Sequence, residues 1–366
     1  MWIICGTDIR VSLPRYLSRN SDARLCDRPE LWRSEPLSKN PWSEIHRAGQ
    51  THHVASHEHP DWREKTVTGQ DAHLDWRKLM NLADPECSQA VARGLDALVE
   101  RFDWDGVNLG ELYFESLEGV GNPARFTPFN SSVRADFLSK TGTAIDGKLT
   151  GNHREHDGKS TGVVTAFLDY RARLAQRLQE EWLARLAAIR TRKPHLDLVL
   201  THIDDRFDTS MREKLGADAA RLIPVSEKLG VTFLVEDPAT VWHLGPSRYT
   251  EIGRRYKPLI TKPELLAIDL NIVERYQDVY PTKQQTGVEL FQLVNHASRA
   301  FQRVALYFEN SISAADWPWL ASASAAPVRE KWSGEVLEIE TLRPTTVRWP
   351  GGATVNGKSR PPPHGD

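Results

Sequence analysis

The sequence has little cysteine and no long hydrophobic run. Its three cysteines, Cys5, Cys26 and Cys87, lie too far apart for a CxxC metal pair and are too few for a disulfide framework. The N-terminus, MWIICGTDIR, has about four apolar residues before its first charge, whereas a secretory signal needs roughly seven to fifteen and a membrane span roughly 18. We therefore expect no membrane span, and a cytoplasmic protein if this N-terminus is genuine; an incomplete N-terminus would leave export open.

An excess of charge of either sign is also lacking. The chain has 47 Lys and Arg against 49 Asp and Glu, with no long block of one sign. No basic face is therefore expected for nucleic acid or anionic lipid. The 366 residues, 40% of them hydrophobic, fit either two average domains or one α/β barrel of about 250 residues with attachments. The oligomeric state stays open.

The glycine-rich turns of nucleotide-binding sheets are missing, since neither GxGxxG nor GxxxxGK[ST] occurs. From residue 61 to about 325, short β-branched runs alternate with long amphipathic stretches, which is typical of βα units. Strands are predicted at 79–82, 107–109, 196–203, 231–236, 265–271 and 304–309. Helices are predicted from Pro85, near 132–139, over 163–190, up to Leu229, near Tyr249 and over 287–300. This series favours a (β/α)8-type barrel over a doubly wound sheet.

The barrel is predicted to be incomplete at its N-terminus. Residues 1–60 show no helical or strand period, and their only plausible strand is 2–5. We expect an irregular segment over 1–60, the barrel over 61–325, a small β appendage over 326–352 and a disordered tail over 353–366. The roughly 50 residues of 113–162 greatly exceed a usual βα loop of about two to six residues and predict a lid or binding wall.

Acidic residues follow the predicted strands at their carboxyl ends, where the active sites of parallel barrels lie. Side-chain alternation points Glu236 and Glu309 into the same lumen, whereas Glu111 needs a kink at Gly110 to face it. Asp237 precedes Pro238 and resembles a helix cap. The strand-end acids are Glu111, Asp204, Asp205, Glu236, Asp237, Asp269 and Glu309.

Paired carboxylates are the machinery of glycoside hydrolysis, in which one donates a proton and the other acts as nucleophile or base. Trp242, Trp317 and Trp319 follow strand ends and offer flat faces for sugar rings, although tryptophans also fill cores. We therefore predict a carbohydrate substrate, no cofactor and no metal, with Glu111, Glu236 and Glu309 catalytic. The predicted substrate-binding residues are Asn108, Tyr113, Glu115, His202, Asp205, Trp242, Asp269, Asn271 and Tyr307.

Two groups of histidines raise the alternative of a metal. The segment HHVASHEHP, with His52, His53, His57 and His59, has no neighbouring secondary structure to hold ligands in geometry. His202 stands at a strand end beside Asp204 and Asp205, where a hydrogen-bonded pocket histidine is favoured over a ligand.

The segment 80–112, MNLADPECSQAVARGLDALVERFDWDGVNLGEL, resembles glycoside-hydrolase-like barrel proteins related to bacterial family-10-type glycosidases. The shared pattern is a strand, a Pro-initiated helix and an aromatic-Asp-Gly strand ending in acids, and the resemblance extends over about 61–320. It implies a (β/α)8-type barrel that acts on or binds a polysaccharide, with Asp105 as the motif acid and Glu111 in the slot of the proton donor. This chain departs from the pattern because Gly110 precedes Glu111, with Glu115 as a second candidate, and because the first two strands are missing.

Three hypotheses follow. The first is a glycosidase-like hydrolase with Glu111 as general acid and Glu236 or Glu309 as the opposing carboxylate. The second is a catalytically inactive carbohydrate-binding or assembly protein. The third is a metal-dependent hydrolase that uses His202, Asp204 and Asp205.

Overall fold

The computed structural model describes residues 2–6, 59–74, 77–149, 158–272, 285–307, 312–324, 327–333, 336–342, 353–355 and 358–360. Most of the segment 1–60, with His52, His53 and His57, lies outside these residues. The chain divides into two compact units. The described part of the first unit comprises 2–6, 59–236 and 259–265, and that of the second comprises 237–258 and the residues from 266 onward.

The first unit contributes four neighbouring sheet strands, in the spatial order β1 (Trp2–Gly6), β4 (Gly106–Gly110), β5 (Asp197–Ile203) and β6 (Thr232–Glu236). Strands β4, β5 and β6 are parallel, whereas β1 pairs with β4 antiparallel. The strand predicted at 2–5 is therefore present, but it runs against the parallel series.

A glycine sets the close approach of β4 and β5. Gly106 pairs with Asp197, and a Cβ on Gly106 would lie 2.7 Å from the Asp197 carbonyl oxygen. A side chain at Gly106 would therefore push the two strands apart. The aromatic-Asp-Gly segment of the sequence ends on this glycine because only a residue without Cβ fits there.

The predicted strand at 79–82 is wrong. These residues follow a short hairpin of β2 (His73–Leu74) and β3 (Arg77–Lys78), and Met80 forms only an isolated antiparallel bridge with Arg63. The apolar run Leu79–Leu82 resembles a strand of the parallel series in sequence. In the structure its backbone is instead hydrogen-bonded to residues 62–64, onto which it folds back.

Helix α1 (Pro85–Arg101) shows how the sequence specifies a helix locally. The Asp84 carboxylate caps it and accepts hydrogen bonds from the backbone N–H groups of Glu86 at 2.9 Å and Cys87 at 3.0 Å, and Pro85 occupies the first turn. Its buried side chains recur every three to four residues, which gives one apolar face. They are Cys87, Val91, Ala92, Leu95 and Val99.

The remaining helices of the first unit lie close to the predicted ones. Helices α4 and α5 each end at a glycine in the left-handed region, Gly216 at φ 74° and Gly230 at φ 62°. The helices are α2 (Ser131–Thr141), α3 (Gly158–Arg192), α4 (Ser210–Leu215) and α5 (Ala219–Leu229).

The second unit contains the parallel strands β7 and β8, in which Asp269 pairs with Ala305 and Asn271 with Tyr307. The elements of this unit are α6 (Arg248–Tyr256), β7 (Leu266–Asn271), α7 (Gly287–Ala300), β8 (Arg303–Tyr307) and α8 (Trp317–Ser324). The predicted helix over 287–300 is confirmed, and α6, β7 and β8 lie close to predicted elements, whereas α8 was not predicted.

Two hairpins follow α8. Strands β9 (Pro327–Ser333) and β10 (Val336–Thr341) pair antiparallel, in the region of the predicted β appendage. Strands β11 (Ala353–Val355) and β12 (Lys358–Arg360) form a second pair, where the sequence predicted a disordered tail. Among the described residues, every helix is too short or too polar to cross a membrane.

Candidate functional site

Glu111 and Glu236 follow the carboxyl ends of two strands of one parallel sheet. Strand β5 separates β4 from β6, and Glu236 pairs with Ile203 at its edge. Since neighbouring strands are about 4.8 Å apart, the backbones of β4 and β6 are separated by about 10 Å. Both glutamate side chains are partly exposed. The first unit thus has two carboxylates at one edge of its sheet.

The backbone turns at Glu111 rather than at Gly110, where the sequence predicted a kink. Glu111 has φ 50°, and among the described residues other than glycine it alone has a positive φ. A left-handed conformation costs an L-residue roughly 1–2 kcal/mol, and such conformations cluster at functional sites. The strand therefore ends in a turn that reorients this carboxylate.

One face of this sheet carries the polar side chains. The Thr201 hydroxyl donates to Asn108 Oδ1 at 2.9 Å, so these two residues share a face. Thr201 pairs with Leu234, and Glu236, two residues further along β6, lies on the same side. Asn108, Thr201 and Glu236 therefore form one polar face, as side-chain alternation predicted for Glu236.

Asp204 and Asp205, which follow β5, bind backbone groups. The Asp204 carboxylate accepts from the N–H groups of Arg206 and Phe207 at 3.0 Å and of Asp208 at 3.2 Å. Asp205 accepts from the N–H of Ala219 at 3.2 Å, at the start of α5. Both side chains are buried. These contacts hold the loop after β5 and give no support to a substrate-binding role for Asp205.

His202 also points away from the polar face. It alternates with Thr201, is completely buried, and has its ring centroid 5.1 Å from that of Phe233. Neither ring nitrogen has a hydrogen-bond partner in the described part of the chain, and burial lowers the pKa of His202 to about 3. Its Nε2 lies 3.9 Å from Asp205 Oδ1, beyond hydrogen-bonding distance. The predicted pocket histidine thus lies in the core.

The remaining predicted residues of the first unit belong to the long segment after β4. Tyr113 packs against a cluster of Ile203, Met211, Leu215 and Ala217. Glu115 accepts from Arg125 Nη2 at 3.1 Å. A shallow pocket beside Glu115 is lined also by Thr66, His73, Arg125 and Thr127.

Sequence reasoning missed a buried pair beside that pocket, Glu64 and Arg171. Arg171 Nη1 donates to the carbonyl of Glu213 at 2.9 Å and Nη2 to that of Phe114 at 3.2 Å, while its Nε bonds the carbonyl of Thr127. Burial lowers the pKa of Arg171 to about 9. Burial also raises the pKa of Glu64 to about 7, although a hydrogen bond with Thr127 and the positive charge of Arg171 both act to lower it. Arg171 therefore anchors the segment after β4.

In the second unit, a buried ion pair follows the residue that ends β6. Asp237 Oδ2 accepts from Arg248 Nε at 2.6 Å, and Arg248 Nη2 donates to the Tyr249 hydroxyl at 2.7 Å. All three residues are buried. The sequence predicted that Asp237 resembles a helix cap, but the residue in the N-cap position of the next helical turn, Ala239–Leu244, is Pro238. An arginine 11 residues further along the chain holds the Asp237 side chain instead.

Asp269 on β7 carries the most perturbed partly exposed carboxyl group among the described residues. Burial, followed by the charge of Asp237, raises its pKa to about 7, although a hydrogen bond from the backbone of Leu270 opposes the shift. Asn271 lies two residues further along the same face, as predicted, and pairs with Tyr307. The face of β7 and β8 thus presents a carboxyl group that can hold a proton near neutral pH.

Aromatic side chains are exposed around the end of β8 and on α8. Tyr307 is 47% exposed, Trp317 46% and Trp319 43%. Trp242 is partly buried and donates its indole N–H to the carbonyl of Asp237 at 3.1 Å. Glu309, the third predicted catalytic carboxylate, lies outside the described residues.

The structure offers little to the metal hypothesis in the part of the chain that it describes. There, no group of three or more His, Cys, Asp or Glu side chains is arranged to hold a metal ion. The predicted ligands Asp204 and Asp205 bind backbone N–H groups, and His59 stacks on Trp62 with ring centroids 3.7 Å apart.

Comparisons with known proteins show similarity at the level of structure and not of sequence. The sequence matches no family model, and no curated protein is significantly similar to it. The crystal structure of the catalytic domain of β-amylase from Paenibacillus polymyxa is similar over 70% of this chain and 70% of that chain, with 10% identity and a TM-score of 0.41. A similarity of this degree decides neither the fold nor the activity.

Proposed function

We propose that this chain is a glycosidase-like hydrolase that cleaves a polysaccharide through carboxylates at the carboxyl ends of its parallel strands. The observation that supports it is the parallel register of β4, β5 and β6, with Glu111 and Glu236 at one edge. The proposal includes the (β/α)8-type barrel and the family-10-type relationship predicted from the sequence. The described residues contribute five strands, β4 to β8, that alternate with helices.

The spacing of the two glutamates suits a sugar ring. Carboxyl groups about 6.5–9.5 Å apart leave room for a water molecule and are typical of inverting glycosidases, whereas retaining enzymes hold them about 5–5.5 Å apart. The backbones of β4 and β6 are about 10 Å apart. If the side chains of Glu111 and Glu236 both lean toward β5, their carboxyl groups come to about 6.5–9.5 Å from each other. We therefore expect inversion of the anomeric centre.

The test is hydrolysis of a panel of neutral and acidic polysaccharides by the full chain and by Glu111→Gln and Glu236→Gln. Each substitution keeps the shape but removes the acid–base function, so kcat/KM should fall by about 100-fold or more. Asp103→Asn is a matched control, because the Asp103 side chain is 91% exposed. NMR of the first product reports its anomeric configuration.

The exposed Trp317 and Trp319 support a second candidate function, a carbohydrate-binding protein without catalysis. Sugar rings stack on exposed indoles whether or not a bond is cleaved. Polysaccharide binding that survives both glutamine substitutions, with no product after prolonged incubation, would favour this candidate and contradict the hydrolase.

A further inference from the structure

Helix α3 donates buried side-chain hydrogen bonds to the backbone that follows Glu111, and the proposed function leaves their purpose open. Gln179 Nε2 donates to the carbonyl of Leu112 at 2.7 Å. About two turns earlier on the helix, Arg171 Nη2 donates to the carbonyl of Phe114 at 3.2 Å. Gln179 is 1% exposed and Arg171 is completely buried. Side chains of α3 thus hold two carbonyls of the segment after β4.

Glu111 lies between two pieces of backbone that are each held in place. Before it, Gly110 ends β4 and pairs with Trp2 of β1. After it, the carbonyl of Leu112 is held by Gln179. Glu111 itself has φ 50°, and a residue persists in such a sparsely populated conformation only where the surrounding structure fixes it. The bond from Gln179 therefore acts on the turn that sets the direction of the Glu111 side chain.

Gln179 differs from Arg171 in what its contacts hold. Arg171 binds carbonyls on three separate stretches of the chain, so its loss should loosen much of the first unit. Gln179 binds the carbonyl of the residue next to Glu111. A buried amide costs free energy unless it is hydrogen-bonded, and the bond to Leu112 satisfies the donor of this one. Loss of the Gln179 amide should therefore act mainly on the turn at Glu111.

We propose that Gln179 is a positioning residue of the hydrolysis: its bond to Leu112 holds the turn that directs the Glu111 carboxyl group at the glycosidic oxygen. This inference rests on the proposed function and takes Glu111 as the general acid, the role that the sequence pattern implies. In this role Gln179 acts through the backbone and not on the substrate.

The step that Gln179 supports is an ordinary hydrolysis. The Glu111 carboxyl group gives its proton to the glycosidic oxygen, the bond from the anomeric carbon to that oxygen breaks, and the electron pair stays on the oxygen. Glu236 takes a proton from the water molecule that adds to the anomeric carbon, and exchange with solvent restores both carboxyl groups. Proton transfer needs the donor within about 2.6–3.2 Å of its acceptor, so a displaced Glu111 slows this step without weakening substrate binding.

Methionine has nearly the size of glutamine but cannot donate a hydrogen bond, so Gln179→Met removes this contact. On an oligosaccharide of the glycan that the wild type cleaves, we expect kcat to fall by about tenfold or more, with KM changed by less than about twofold. A raised KM with unchanged kcat would overturn the role.

Gln176→Met is the matched control on the same helix, since Gln176 donates to the Glu180 side chain at 2.7 Å. Both kinetic constants of this variant should stay within about twofold of the wild-type values. If Gln179→Met does not fold, Gln179→Asn, which keeps the amide but shortens its reach, should show the same loss of kcat.

The leaving group separates the positioning of an acid from a loss of structure. A 2,4-dinitrophenyl group leaves without a proton, whereas the alcohol released from an oligosaccharide needs one. Gln179→Met should therefore lower kcat on the dinitrophenyl glycoside of the same sugar by less than about threefold. A merely structural role would reduce the amount of active protein and lower both rates alike, so equal losses would overturn the inference.

A double-mutant cycle connects the effect to Glu111. In the Glu111→Gln background the acid is already gone, so Gln179→Met should lower the residual oligosaccharide rate by less than about twofold. A second loss as large as the one in the wild-type background would show that Gln179 acts elsewhere, which would contradict the positioning role.

A carboxyl resonance reports the position of Glu111 without any substrate. In the full chain labelled with 13C at the glutamate carboxyl groups, the resonance that Glu111→Gln removes belongs to Glu111. Its chemical shift should change in Gln179→Met and stay the same in Gln176→Met. An unchanged shift in both variants overturns the inference while the hydrolase proposal stands. If instead the wild type cleaves no polysaccharide, the proposed function fails and the catalytic role of Gln179 fails with it, whatever the shift shows about the turn.

Discussion

Among the described residues, each unit buries one arginine, Arg171 in the first and Arg248 in the second, and their pKa values are shifted in opposite directions overall. Arg171 donates to three backbone carbonyls, and burial lowers its pKa to about 9. Arg248 pairs with the carboxylate of Asp237 at 2.6 Å, and although burial opposes the shift, its pKa is raised. A buried guanidinium is therefore stabilised as a cation by an ionised partner, whereas carbonyl dipoles leave part of the burial cost in place.

The two units also each contain a carboxyl group with a pKa near 7, Glu64 and Asp269. Glu64 is only 6% exposed, so its proton stays inside the protein. Asp269 is partly exposed on a strand face. The two carboxyl groups thus have similar pKa values at different exposures.

The largest expected effect comes from Arg171→Met, which removes three hydrogen bonds and leaves three carbonyls to be satisfied. We expect the free energy of unfolding to fall by about 3–5 kcal/mol in urea titrations. Arg173→Met is the matched control on the same helix, since Arg173 is 65% exposed, and should cost at most about 0.5 kcal/mol. A comparable loss in both variants would remove the contrast between the two arginines.

Glu64→Gln sharpens the comparison of the two carboxyl groups. Because the folded-state pKa of Glu64 is raised from 4.5 to about 7, its contribution is fully present below pH 4.5 and is lost as the pH rises through 7. We expect the variant to lack this decline and to gain on the order of 2–3 kcal/mol relative to wild type at pH 8. Urea titrations at pH 4, 6 and 8 measure it, and activity should not change.

The smallest change in the free energy of unfolding at neutral pH is expected for His202→Leu. This variant tests the stability cost of burying a histidine that stays neutral in the folded protein. The folded-state pKa of His202 is lowered to about 3, so its stability contribution is present above pH 6.5 and is lost as the pH falls toward 3. The variant should gain about 1 kcal/mol at pH 7 by removing unsatisfied nitrogens. This gain should grow between pH 6 and 4, and a constant difference would contradict the assignment.

Much of the fold was predictable because its signals are local. The cap of Asp84 and Pro85, the spacing of Val91, Leu95 and Val99, and the apolar run of β5 identify their elements without knowledge of the rest of the chain. The prediction failed at 79–82, where an apolar run pairs with a segment that shows no strand period. The sequence of a short apolar run does not show which other segment of the chain it will pair with.

The candidate site was less predictable. Alternation along β6 and β7 correctly grouped Glu236 with Leu234 and Asp269 with Asn271, but it said nothing about Asp237, whose partner Arg248 lies on the next helix. Asp204, Asp205 and His202 look chemically promising as sequence, yet two of them bind backbone groups and the third is buried. An acidic residue at the end of a strand gives the same sequence pattern whether its side chain binds backbone N–H groups or faces a ligand.

The sequence by itself determined most of the strands and helices of the parallel series, and that acids follow these strands, because these properties depend on neighbours within a few residues. Only the tertiary structure decided which of those acids remain available for chemistry. That choice depends on burial and on charges brought together from distant parts of the chain, such as Arg171 beside Glu64 and Asp237 near Asp269, and these set the proton affinity of a carboxyl group.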